Sequence, residues 1–211
     1  MVAAEPAILQ PAADEDNSKR RQILDGARKV FLDLGFDGAS MGEIARSAGV
    51  SKGTLYVYFA DKNRLFEAIV EEEAREKSEA AFNLDPTREV TTTLREFGET
   101  YIAMICRPGG GSSIRTVMAI AERMPDVGRR YYEQVLESLI NRLAAYLEAR
   151  VKLADLKIDD CQLAASQFQL MCQASLFLPY IFQASPAPSP ERIREVIESA
   201  LQMFLAAYRA K

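Results

Sequence analysis

Two helix starts only eleven residues apart constrain the fold of this chain more than any other feature of its sequence. The stretch SMGE at residues 40–43 is a capping box, in which a Ser and a Glu together cap the first turn of a helix. After the turn AGV at 48–50, Ser51 caps a second short helix, and Asp61 caps a third, longer one. Short capped helices joined by a glycine turn predict a helix-turn-helix arrangement.

The remainder of the chain also follows a helical period, and no alternating pattern indicates a β-strand of useful length. We therefore predict an all-α protein of about nine helices. A disordered acidic tail is expected at 1–17, followed by a three-helix domain at 18–64 and a second helical domain at 65–211. Further helices are predicted at about 87–106, 113–123, 126–151, 159–182 and 190–209.

Composition excludes several classes of function. The chain has no histidine, so it has no Ser-His-Asp triad, Cys-His dyad or HExxH zinc site. Its three cysteines include no CxxC pair, which favours free buried thiols in a reducing cytoplasm over a disulfide or a redox sensor. No apolar run approaches the roughly 18 residues that span a bilayer, so no membrane role is predicted. We expect no catalytic residue, metal or cofactor.

Charge is distributed unevenly along the chain. Residues 18–64 contain nine basic and five acidic side chains, a net charge of +4. Because the whole chain carries −4, the remaining residues carry −8. A basic segment on an acidic body predicts one module that faces an anion such as DNA.

The helix that follows Ser51 places its side chains in two groups. At 100° per residue, Leu55 and Phe59 share the inward face, whereas Gly53 and Val57 point directly away from it. A face with a small residue and a short apolar side chain fits the DNA major groove, where Val57 would contact a thymine methyl.

Polar side chains border that outward face. Thr54 and Tyr56 flank it, and Tyr58 lies at its margin, so that their hydroxyl groups are available to phosphate oxygens. Lys52 and Lys62 add positive charge at the two ends of the helix. Alternatively, the two tyrosines pack against neighbouring helices.

The stretch SMGEIARSAGVSKGTLYVYFADKNRLFEAIV at 40–70 resembles the DNA-binding signature of the TetR family of bacterial transcriptional regulators. The resemblance implies a dimer on a near-palindromic operator of double-stranded DNA. It implies backbone contacts for Lys52, Thr54, Tyr56, Tyr58 and Lys62, base contacts for Gly53 and Val57, and a flanking phosphate contact for Ser40 and Met41.

The second domain resembles the C-terminal domain of the AefR-like subgroup, on the stretches VTTTLREFGETYIAM and RTVMAIAERMPDVGRRYYE. The resemblance implies a ligand-binding and dimerisation domain and a small hydrophobic effector. Apolar residues on more than one face of 159–182 and 190–209 predict that these helices form a homodimer, the alternative being a monomer with a buried helix. The predicted pocket residues, which would otherwise be plain core, are Tyr101, Met104, Met118, Phe168, Met171 and Cys172.

The leading hypothesis is thus a homodimeric repressor that a small hydrophobic ligand releases from its operator. The alternative is a DNA-binding regulator without an effector, either a constitutive repressor or an activator. An enzyme within the second domain is the third hypothesis, and the missing histidines and nucleotide loop disfavour it.

Overall fold

A computed structural model of the chain describes residues 11–79, 82–107 and 112–210. The predicted all-α class is confirmed, because these residues contain no strand and only an isolated bridge between Leu156 and Arg209. The elements are α1 Pro11–Gly38, α2 Met41–Ser47, α3 Lys52–Tyr58, α4 Lys62–Glu79, α5 Val90–Ile105, α6 Ser112–Ile120, α7 Pro125–Tyr131, a π-helical segment Tyr132–Glu137, α8 Ser138–Lys152, α9 Cys161–Gln173, α10 Phe177–Ile181 and α11 Pro190–Tyr208.

The chain divides into two compact units, one ending at Ile69 and the other beginning at Val70. The sequence predicts a boundary after residue 64, which also lies within α4. The two units divide five residues later, because Phe66 completes an aromatic cluster with Phe31 and Phe36 and therefore belongs to the first core. In the described residues, no helix is both long and apolar enough to cross a membrane.

The first helix begins at Pro11, so the predicted disordered tail is wrong for residues 11–17. Pro11 is the first residue of α1, and proline is favourable at the start of a helix. The acidic composition of this segment suggested disorder when the sequence was considered alone. Residues 1–10 lie outside the described part of the chain.

Gly35 has a φ of 69° and interrupts α1. The three helix starts predicted for the first unit, at Ser40, Ser51 and Asp61, are confirmed. At α2, the Ser40 hydroxyl accepts from the Glu43 amide at 3.2 Å, and the Ser40 amide donates to the Glu43 carboxylate at 3.0 Å. Ser51 caps α3, since its hydroxyl accepts from the Thr54 amide at 3.0 Å. Asp61 caps α4, since its carboxylate accepts from the Arg64 amide at 2.9 Å.

Helix α1 contacts the turn between α2 and α3 at Gly26. A Cβ atom at this position would lie 2.6 Å from both the Cα and the amide nitrogen of Ala48, which ends α2. One turn earlier on α1, the Gln22 side-chain amide donates to the Ala48 carbonyl at 2.6 Å. The absent side chain at Gly26 therefore allows α1 to support the turn directly.

The core of the second unit lies between α5, α8, α9 and α11. The Phe168 ring contacts Phe97 at 6.2 Å and Phe204 at 5.1 Å between ring centres. Gly98 on α5 leaves so little space that an added Cβ would be 2.8 Å from Ile197 of α11. Three helices thus converge on a tightly packed aromatic centre.

Two of the helices predicted for this unit are interrupted. The predicted helix at 126–151 contains the π-helical segment Tyr132–Glu137, and the one at 159–182 breaks after Gln173. At the second break Ser175 adopts a φ of 57°, which is uncommon for a residue with a side chain. Neither interruption carries a Gly or Pro signal at the break, so the helical period alone predicted continuous helices.

Candidate nucleic-acid interface and internal cavity

The outward face of α3 is exposed as its periodicity predicts. Leu55 is fully buried and Phe59 nearly so, whereas Val57 is 82% exposed and Tyr56 is 53% exposed. Gly53 lies on the same exposed side. An apolar Val with most of its surface in solvent contributes nothing to the core of its own unit, so this face is available to a partner.

Lys52 lies against the first turn of α2. A Cβ atom at Gly42 would be 3.0 Å from Lys52 Cε and 3.3 Å from its ammonium nitrogen. Gly42 therefore leaves room for the lysine stem, and the positive charge lies beside Ser40 and Met41 at the start of α2. Ser40 is exposed and Met41 is half-buried. The predicted flanking phosphate position thus combines a helix N-terminus with an ammonium group.

Two hydroxyl groups that the sequence assigned to phosphate are occupied by neighbours on the chain. The Ser40 hydroxyl lies 2.7 Å from the Glu43 carboxylate, and hydrogen bonds from Ser40 hold the pKa of that carboxyl below its usual range. The Thr54 hydroxyl lies 2.8 Å from that of Ser51. A phosphate contact at either position would share the hydroxyl with these local bonds.

Tyr58 donates its phenolic proton to a carboxylate. Its hydroxyl lies 2.6 Å from Asp16 Oδ1, a residue of α1 that is 42 positions away in the chain. This hydrogen bond raises the pKa of the Tyr58 phenol above its usual value. No local pattern in the sequence indicates this pair, since Asp16 belongs to the segment predicted to be a disordered tail.

Lys62 is directed toward the end of α1. Its ammonium donates to the carbonyl oxygens of Phe36 at 2.8 Å, Ala39 at 3.1 Å and Asp37 at 3.4 Å. It also lies 4.7 Å from the centre of the Phe36 ring. A lysine ammonium has three donors, and these three carbonyls match that number. In this structure Lys62 therefore caps the end of α1, and its predicted phosphate contact remains a prediction.

A cavity of about 230 Å³ lies within the second unit. Of the six predicted pocket residues, only Tyr101 and Met104 line it. Phe168 and Cys172 are fully buried in the core, and Met171 packs at the edge of that core. Met118 is 71% exposed on α6. Helical spacing could not separate core from cavity, because both require apolar residues on the inward face.

Polar side chains meet at the cavity wall. The Gln173 side-chain amide donates to the Tyr101 hydroxyl at 2.5 Å, and Gln169, also in the wall, is buried. Burial raises the pKa of Tyr101, so its phenol stays protonated at neutral pH. The sequence predicted neither glutamine as a lining residue, because the predicted pocket contained only aromatic, thioether and small side chains.

The π-helical segment supplies another part of the wall. Val135 and Leu136 line the cavity from this segment, and Tyr131 lines it from the end of α7. π-Helical turns occur frequently at functional sites. These residues could not be predicted from the sequence, because neither amino-acid composition nor the helical period indicates where a turn contains an additional residue.

The three cysteines are free. Burial raises the pKa of Cys172 to about 12 and that of Cys106 to about 11. Both thiols are therefore protonated at neutral pH. The thiol proton lowers their reactivity, since the thiolate is the nucleophile.

The chain belongs to the TetR family of bacterial regulatory proteins, with a C-terminal domain of the AefR-like transcriptional repressor type. The model of the tetR-family N-terminal domain matches residues 23–69, and that of the AefR-like C-terminal domain matches residues 92–210. Together these segments include α2, α3 and the cavity.

Similar proteins agree with this family. An HTH-type transcriptional repressor of Mycobacterium tuberculosis is 30% identical over 132 residues, which cover 60% of this chain and 65% of that relative. Among solved structures, a TetR-family transcriptional regulator of Mesorhizobium loti has a TM-score of 0.81 at 27% identity, covering 92% of this chain and 98% of the other. The flavonoid-responsive regulator FrrA has a TM-score of 0.75 at 30% identity, with the same two coverages.

The contrast between the two lysines gives a testable prediction. We expect Lys62→Met to lower the free energy of unfolding by about 1–3 kcal/mol, because three carbonyl groups at the end of α1 lose their donor. Lys52→Met, at an exposed lysine, should change it by less than about 0.5 kcal/mol. Urea unfolding followed by far-UV circular dichroism measures both, and equal losses in the two variants would contradict the assigned role of Lys62.

Proposed function

We propose that the protein is a homodimeric repressor that binds a near-palindromic DNA operator and is released from it by a neutral, largely apolar ligand. The observation that carries the DNA-binding part is the face of α3, with Leu55 fully buried and Val57 82% exposed. An exposed helix face of small and apolar residues, bordered by hydroxyl and ammonium groups, matches the chemistry of a major groove.

The two classes of contact have separate roles in this proposal. Lys52 and the start of α2 hold the phosphate backbone, which contributes affinity that depends on salt and not on sequence. Gly53 permits close approach, and Val57 contacts a thymine methyl, which contributes sequence preference. Two α3 helices in a dimer would read half-sites about 34 Å apart, one turn of DNA, or a multiple of that distance.

The division of roles is tested by two variants. We expect Lys52→Ala to weaken binding to operator and scrambled duplexes by a similar factor, because phosphate contacts are independent of sequence. Val57→Ala should weaken binding to the operator by about five- to tenfold and leave the scrambled duplex unchanged, since it removes an apolar base contact. Fluorescence anisotropy with an operator selected from random duplexes measures both.

A wild-type protein that enriches no sequence from random duplexes would overturn the proposed DNA recognition. Equal losses on both duplexes for Val57→Ala would overturn its role at the bases.

Exposed leucine and methionine side chains on α9 and α11 support the homodimer. Leu163 is 53% exposed and Leu170 61% exposed on α9, and Met203 is 54% exposed on α11. Leu163 and Leu170 are seven residues apart and share one face of the helix. Apolar side chains grouped on adjacent helices mark an association surface, whereas single exposed ones are ordinary.

We expect the wild-type protein to sediment as a dimer at micromolar concentration. Leu163→Glu combined with Met203→Glu should raise the dimer dissociation constant at least about 100-fold, because each places a charge in an apolar contact. Leu153→Glu is the matched control, since Leu153 is 60% exposed but lies at the end of α8. A wild-type monomer, or equal effects of the control, would contradict the assignment of the interface.

The cavity supports the effector. Its described lining residues are apolar or neutral polar, with no charged side chain among them. Such a wall fits a neutral ligand that is mostly apolar and carries one or two hydrogen-bonding groups. The Gln169 amide and the Tyr101–Gln173 pair are the groups available to orient it. Similarity to a flavonoid-responsive regulator favours an aromatic ligand with hydroxyl groups.

Filling the cavity should uncouple the ligand from DNA binding. We expect Met104→Trp to keep operator affinity within about twofold while weakening release by ligand at least tenfold, because the larger side chain occupies the ligand volume. Met118→Trp is the control, on an exposed residue outside the cavity. The probes are flavonoids and smaller neutral phenols, with carboxylated analogues as charged counterparts.

Release of operator by none of these compounds would favour the alternative, a DNA-binding regulator without an effector. Release that persists equally in Met104→Trp would place the ligand elsewhere.

A further inference from the structure

The first turns of α1 reach the end of α3. Asp16 and Arg20 lie one helical turn apart and both contact it, since Asp16 accepts from the Tyr58 hydroxyl at 2.6 Å and the Arg20 guanidinium lies 5.6 Å from the centre of the Phe59 ring. Two independent contacts from one face of α1 show that this packing involves more than a single surface hydrogen bond.

The contact occupies the only proton that Tyr58 can donate. A phenol has one O–H group, and here that group points at a carboxylate oxygen. A DNA phosphate offers an acceptor of the same kind, an anionic oxygen that takes a short, charge-assisted hydrogen bond. Asp16 and a phosphate therefore compete for the same proton.

We propose that Asp16 acts as an intramolecular substitute for a DNA phosphate at Tyr58 and thereby lowers the affinity of the protein for DNA of every sequence. This inference rests on the proposed binding of DNA by α3. When DNA binds, the Tyr58 hydroxyl exchanges one anionic acceptor for another, so the new hydrogen bond contributes little net affinity. The displaced carboxylate also stays close to the phosphate backbone, where like charges repel.

The carboxylate of Asp16 lies against a region of net positive charge. Residues 18–64 carry a net charge of +4, and a DNA-facing surface gains affinity from that charge. A carboxylate directed at a hydroxyl beside the exposed face of α3 opposes that gain. Because the loss applies to every sequence, Asp16 lowers the total amount of protein bound to DNA and leaves the ratio of operator to non-specific affinity unchanged.

The test measures binding of the full-length protein to two fluorescein-labelled duplexes, an operator selected from random sequences and a scrambled duplex of equal length. We expect Asp16→Ala to tighten binding to both by about three- to tenfold, since it removes both the competing acceptor and a repelling charge. Asp16→Asn keeps a neutral acceptor and should give a smaller gain. Asp33→Asn is the matched control, because Asp33 is an exposed acid on the same helix without a described contact to α3.

A double-mutant cycle separates competition for the proton from simple repulsion. Asp16→Ala should increase the logarithm of the DNA affinity less than half as much in a Tyr58→Phe background as in the wild-type background. In Tyr58→Phe no hydroxyl remains to be released. Equal gains in both backgrounds, or a gain from Asp33→Asn as large as that from Asp16→Ala, would overturn the competition.

A measurement without DNA checks the free protein. Tyrosine ¹³Cζ NMR, with Tyr58→Phe to assign the signal, should show the pKa of Tyr58 falling toward its usual value in Asp16→Ala. An unchanged pKa would overturn the contact in solution. Wild-type protein that binds neither duplex would overturn the proposed function itself, whereas wild-type binding that Asp16 variants leave unchanged would overturn only this inference.

Discussion

The contact between α1 and the turn after α2 determines how the exposed face of α3 is presented. At Gly26 the two backbones approach so closely that a single methyl group would lie 2.6 Å from Ala48. Because Ala48 ends α2 and Ser51 begins α3, the direction of α3 follows from this contact. The burial of Leu55 and the exposure of Val57 both depend on that direction.

Local signals in the sequence predicted most of the first unit. The caps at Ser40, Ser51 and Asp61 depend on side chains within three residues of their partners, and a short sequence pattern can encode such bonds. The faces of α3 follow from the helical period. Contacts between distant residues could not be predicted in this way. Tyr58 with Asp16, and Lys62 with the carbonyls at the end of α1, join residues 23 to 42 positions apart.

The residues that line the cavity could not be distinguished from core residues by sequence alone. Tyr101 and Met104 line it, whereas Phe168 and Cys172, which have the same apolar character, belong to the core. Which of them faces an empty volume depends on how neighbouring helices are interrupted. Ser175 adopts a positive φ just after α9, which ends well before the predicted residue 182. No sequence pattern predicts this break.

The π-helical turn at Tyr132–Glu137 bears on how this protein family could diversify. Such a turn accommodates one residue more than an α-helical turn. A gene that lost one codon here would close the turn to an α-helical one, and only the side chains of the turn itself, such as Val135 and Leu136, would change direction. The later residues of α8 would keep the face that they bury, so a single deletion could change one wall of the cavity and leave the core of the unit intact.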